Sequence, residues 1–121
     1  MTDDMTRADV EEGYYIYFIE LGYHPCDGMF VGITPDVILT GEVIDLLLKG
    51  GTHPCERLQK LFNVHGKYTF YHNGLIPPFE TWRRAAAEVG AYMVMNRETR
   101  FLNISNGTIY LDGPDDFVGQ C

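Results

Sequence analysis

The chain has 121 residues and a net charge of −8, with 45 % hydrophobic and 13 % aromatic side chains, so it is long enough for one domain with its own core and too short for two. That composition excludes wholesale disorder, and no apolar run approaches the roughly 20 residues that span a bilayer. The charge is uneven, with 11 acids and 2 bases over residues 1–56 against 3 acids and 7 bases over 57–100, which excludes the broad basic face that grips duplex DNA.

Residues 1–12 form an acidic lead-in without the apolar segment of a secretory signal, so a cytoplasmic location is expected. "YYIYFIEL" (14–21) is almost wholly apolar or aromatic and reads as a central strand buried on both faces. "GYHPCDG" supplies turn residues, and "MFVGIT" (29–34) is the second strand of a hairpin. Gly32 stands near the end of that strand, just ahead of the helix opening Thr34-Pro35-Asp36. A glycine there lets a ligand such as phosphate approach the backbone.

The next helix has a firm part at "EVIDLLLK" (42–49) and ends at Gly50-Gly51. Thr52 is the expected N-cap of a second helix over 54–64, with Leu58, Leu61 and Phe62 on one face and Gly66 as its stop. "KYTFYHN" (67–73) alternates as a strand does. Pro77-Pro78 break the chain before the longest helix, 79–95. "RFLNI-SNG-TIYLDG" then reads as a C-terminal β-hairpin, followed by an acidic tail. The fold class is α/β (α+β): a domain over 13–95 in the order β-β-α-α-β-α, with the hairpin and tail at 96–121.

This order, with its glycines, resembles the GIY-YIG nuclease domain over about residues 13–95. Gly13-Tyr14-Tyr15 stands where the family's Gly-Ile-Tyr opens the first strand, and Phe30-Val31-Gly32 where Tyr-Ile-Gly ends the second. "RLQKLFNVHGKYTFYHN" (57–73) is similar to the family's stretch in which a Leu-Gln helix runs into a Tyr-Gly turn and an aromatic strand. The resemblance implies Tyr15 as the tyrosine that helps deprotonate water, and Glu88 as the carboxylate that holds one magnesium ion. It also implies a second tyrosine and an arginine on the first helix, both at the scissile phosphate. The second tyrosine is here Phe30, which has no hydroxyl. No arginine lies between Gly32 and Cys55, where the helix carries Asp36, Glu42 and Asp45 instead. Removing one preorganised charge donor costs about 10²–10³ in rate, so the scaffold is expected without its chemistry unless Arg57 or Arg84 reaches across.

The tripeptide His-Pro-Cys occurs at 24–26 and 53–55. His24, Cys26, His53 and Cys55 would make a zinc set, but His-x-Cys with an intervening proline is tight for two ligands on one ion, so no zinc is expected. The three cysteines, Cys26, Cys55 and Cys121, read as free thiols in a reducing compartment. The sequons at Asn103 and Asn106 read as loop chemistry. Tyrosines 14, 15, 17, 68 and 71 read as sheet core rather than base-stacking groups.

The reading that follows is a non-catalytic acidic binding protein without a cofactor. Its acids Asp36, Glu42, Asp45, Asp115 and Asp116 would meet a basic or nucleic-acid-binding protein, with weak or no direct DNA binding and no membrane contact. A phage-type inhibitor of a nucleic-acid-handling or defence enzyme, an anti-CRISPR protein for example, has this size and charge and would act in the host cytoplasm. The alternatives are a magnesium-dependent endonuclease using Tyr15, Glu88 and a relocated Arg57, and a structural subunit that forms homo-oligomers through the C-terminal hairpin.

Overall fold

The structure is a computed structural model, and it describes residues 13–22, 28–72, 78–105 and 108–109. Strand β1 (Tyr15–Leu21) lies between β2 (Gly28–Thr34) and β3 (Tyr68–His72) in one antiparallel sheet of order β2-β1-β3. Register runs from Tyr15 opposite Thr34 to Leu21 opposite Gly28 on one side, and from Tyr17 opposite His72 to Leu21 opposite Tyr68 on the other. Side chains alternate across a strand, so β1 sends Tyr17, Ile19 and Leu21 to one face and Ile16 and Phe18 to the other.

Helices α1 (Val37–Gly50) and α2 (Glu56–His65) cover the first face. There Tyr17, Ile19, Leu21 and Phe30 pack with Ile44, Leu48, Leu58 and Leu102. Helix α3 (Trp82–Met95) covers the second face, setting Ala85, Val89 and Met93 against Ile16, Phe18, Met29, Val31 and Ile33. Each large apolar side chain buried in these two layers contributes about 1.5–3 kcal/mol. Both layers depend on β1 reading as apolar on both faces.

The helix ends have local causes. Asp36 caps α1, its Oδ1 accepting from Leu39 N–H at 3.0 Å, and α1 runs unbroken through Gly41 to a left-handed Gly51 with φ 76°. The N-cap of α2 is Cys55, not Thr52, and it makes no side-chain cap bond. Thr81 caps α3, so that helix begins three residues after Phe79. Phe79 instead exchanges two backbone hydrogen bonds with Tyr14 and extends the sheet.

Beyond α3, residues 100–103 run along the free edge of β2. Met29 N–H donates to Arg100 C=O, Leu102 N–H donates to Met29 C=O, and the side chain of Asn103 completes the edge. The C-terminal hairpin follows as β4 (Ile104–Ser105) and β5 (Thr108–Ile109). Among the described residues no helix is long and apolar enough to cross a membrane.

Candidate functional site

The strand-glycine-helix element from Gly28 to Asp36 is where a phosphate would sit. Gly32 is opposite Tyr17 in the register. A Cβ on Gly32 would lie 2.1 Å from Tyr17 Cζ and 2.2 Å from its hydroxyl oxygen. Tyr17 is fully buried and stacks on Phe70 with centroids 5.5 Å apart. The glycine therefore makes room for a core tyrosine, which corrects the expectation that it opens the backbone to a ligand.

The start of α1 carries its own acceptors. Asp36 N–H donates to Thr34 Oγ1 at 3.0 Å, and Thr34 Oγ1 lies 2.6 Å from Thr40 Oγ1. With the Asp36 carboxylate on Leu39 N–H and the Asp36 carbonyl on Thr40 N–H, two donors of the opening of α1 meet the protein's own oxygens. A carboxylate at that end disfavours a second anion. Phe30 is fully buried and packs against Tyr17 and His53.

Tyr15 and Glu88 lie on opposite sides of the sheet. The period of two places Tyr15 on the α1 side, with its ring edge-on to His72 at 5.9 Å. Glu88 is exposed on α3, which covers the other side. Arg57, on α2, donates to the carbonyl of Ile104 and so ties α2 to the C-terminal hairpin. Arg84 is exposed in the first turn of α3, where its backbone N–H donates to Thr81 Oγ1. With Glu88 a single exposed carboxylate and Tyr15 beyond the sheet, these residues do not fit a magnesium site of the kind the resemblance implies.

The three acids of α1 have different surroundings. Asp36 is the cap. Asp45 accepts from Tyr68 OH at 2.6 Å and pairs with Lys49 at 3.0 Å. Those two donors, Tyr68 first, hold its carboxyl below the ordinary range, while burial and the Asp45 charge raise the Tyr68 phenol. Glu42 is exposed, one turn from Ile38 and one turn from Leu46, which are 53 % and 73 % exposed. Asp115 and Asp116 lie outside the described residues.

Of the four expected zinc donors, His24 and Cys26 lie outside the described residues. His53 is buried between α1 and α2. Its Nδ1 accepts from Cys55 N–H at 3.0 Å, which puts the ring proton on Nε2 and leaves that atom no lone pair for a metal. Cys55 is disulfide-bonded, which corrects the reading of it as a free thiol. Among the described residues no group of three or more His, Cys, Asp or Glu could hold a metal ion.

No sequence signal marks the hydrogen-bond network around that corner. His53 N–H donates to Gln59 Oε1, and Gln59 Nε2 donates to Leu48 C=O and to Asn63 Oδ1. The His53 Nε2 atom is buried without a partner. Burial lowers the His53 pKa to about 4 from an ordinary 6.5. The unfolded chain therefore binds a proton there more readily than the native one between those values. Stability is unaffected by this residue above pH 6.5 and falls by about 2–3 kcal/mol as pH drops to 4, levelling below. Urea midpoints across that range are expected to show the fall, and His53→Asn, whose Oδ1 replaces Nδ1 as acceptor, is expected to flatten it.

The chain matches no family model, no curated protein and no solved structure.

Proposed function

We propose that this chain is a non-catalytic binding domain, built on a degenerate GIY-YIG-like fold, that engages a basic protein through the outward face of α1. The observation that carries this reading is the stripe Ile38, Glu42 and Leu46, two exposed aliphatic side chains with a carboxylate between them. Exposed apolar groups flanking a charge suit a protein contact, because burial supplies affinity and the charge selects the partner. Asp36 and Asp45 serve the fold, so Glu42 is the acid of this helix that reaches outward. The separation of Tyr15 from Glu88 supports the absence of catalysis. The element order β-β-α-α-β-α supports the family likeness.

A partner that handles nucleic acid would present the cationic surface this domain suits, and an inhibitor of such an enzyme, acting in the cytoplasm of a phage host, is the finer form of the proposal. The test is co-precipitation at physiological salt from extract of the producing cells. The wild-type chain is expected to retain a basic protein, and Glu42→Lys and Leu46→Asp are each expected to lower retention at least about tenfold, equivalent to 1.4 kcal/mol. Equal retention by all three, or retention of nucleic acid alone, would overturn the proposal.

A further inference from the structure

We propose that two copies of this chain pair through the outer face of α3, with the two helices antiparallel about Ala91. Val94 and Met95 on that face are 69 % and 83 % exposed, and Met95 is the most exposed large apolar side chain among the described residues. Ala85, Val89 and Met93 are buried against the sheet, so the helical period turns Ala87, Ala91 and Val94 away from it. The apolar strip starts at Arg84, in the first turn of α3, and ends at Glu98, in the turn just beyond the helix. Val94 and Met95 gain by leaving water, and the alanines between them and Arg84 let a second helix come close.

The charges favour a second copy as the occupant. Arg83 and Arg84 stand where the helix dipole is positive, and the last turn of α3 holds no basic residue. Alone, the helix carries its cations at the unfavourable end. An antiparallel copy sets them beside its own C-terminal turn, where the dipole favours them. With Ala91 facing Ala91 of the second copy, Ala87 meets Met95 of the second copy and Arg84 meets its Glu98. The two-fold axis makes each contact twice. Among the described residues neither Arg84 nor Glu98 forms an ion pair within the chain. Arg97 and Arg100 are exposed on either side of Glu98 and oppose Arg84, so the charge contribution rests on Glu98 being the nearer group.

Helix α1 covers the other face of the sheet, so this contact is separate from the α1 surface and leaves it open. A 14-residue helix is about 21 Å long, and two of them bury less than the roughly 1,600 Å² of a standard interface. The dimer is therefore expected to dissociate on dilution.

The test is sedimentation equilibrium of the full-length protein, free thiols blocked, from about 1 μM to about 1 mM. Wild-type mass is expected to rise with concentration towards twice the monomer. Ala91→Glu sets two carboxylates against each other at the two-fold axis, and is expected to weaken association at least about tenfold while the dilute monomer melts as before. Arg84→Glu and Glu98→Arg are each expected to weaken it about threefold or more, and the double reversal to recover most of that loss. The proposal is overturned by a monomer at every concentration, by a dimer that Ala91→Glu leaves intact, or by a double reversal that associates no more tightly than the single ones.

Discussion

Asn103→Leu is expected to lower stability by about 3–4 kcal/mol, read as a drop in the urea midpoint at unchanged slope. Asn103 is fully buried, and its amide bonds both backbone groups of Val31: Oδ1 accepts from the N–H at 2.8 Å, and Nδ2 donates to the C=O at 2.7 Å. One side chain thus does for the β2 edge what a neighbouring strand would do. Leucine fills similar space but leaves two buried backbone groups unpaired, each costing about 1–3 kcal/mol. That is a large share of the roughly 5–15 kcal/mol that holds a domain together. Asn96→Ala removes one bond to Tyr92 C=O at the half-buried end of α3, and is expected to cost about 1 kcal/mol. Equal losses in the two variants would show that the Val31 edge is not held as described.

Gly32→Ala is expected to cost at least about 3 kcal/mol, because its Cβ would fall within 2.1–2.3 Å of three atoms of the Tyr17 ring. Tyr17 is held between Phe30 and Phe70 and is fully buried, so the ring has nowhere to swing. A double-mutant cycle separates this cause from any ligand role. In a Tyr17→Ala background the same substitution is expected to cost much less, giving a coupling of about 1–3 kcal/mol. Equal cost in both backgrounds would mean that the glycine is needed for something other than the tyrosine. Chemical denaturation of the four proteins decides it.

These residues mark how far the sequence could be read. β1 and β2 were legible because a strand buried on both faces leaves an unbroken apolar run, and β3 because it alternates. The hairpin at 104–109 followed from its turn residues. The sequence points to Thr52 as the start of α2 because it is the better cap by residue type, whereas the N-cap is Cys55. In the structure Thr52 N–H instead bonds back to Leu47 C=O and its hydroxyl reaches the same oxygen, so the cap falls to Cys55. Asn103 carried no signal at all: its partner is 72 residues away, and an Asn-x-Ser triplet looks the same in a loop as at a sheet edge.

The candidate site was legible in part. Order along the chain points to Tyr15 and Glu88, and order does not say on which side of the sheet a helix lands. That follows from where α3 packs, which Ile16, Phe18 and Val31 decide jointly with Ala85 and Val89. The acids of α1 were equally visible as carboxylates, but their roles depend on partners from elsewhere. Tyr68, 23 residues from Asp45, turns one of them into a structural group, and helical spacing leaves Glu42 facing out between Ile38 and Leu46. In the sequence Gly32 points to room for a phosphate, because a glycine's missing Cβ says only that something comes close; here that something is the Tyr17 ring.

The measurement that tests the central claim most directly is a cleavage assay with the purified full chain on supercoiled, linear and branched DNA and on RNA, in magnesium and in manganese, beside Glu88→Ala. No cleavage by either protein, and no retention of DNA at physiological salt, is the expected result. Cleavage by the wild-type chain that Glu88→Ala abolishes would contradict the account, because it would require Tyr15 and Glu88 to act together across the sheet that separates them.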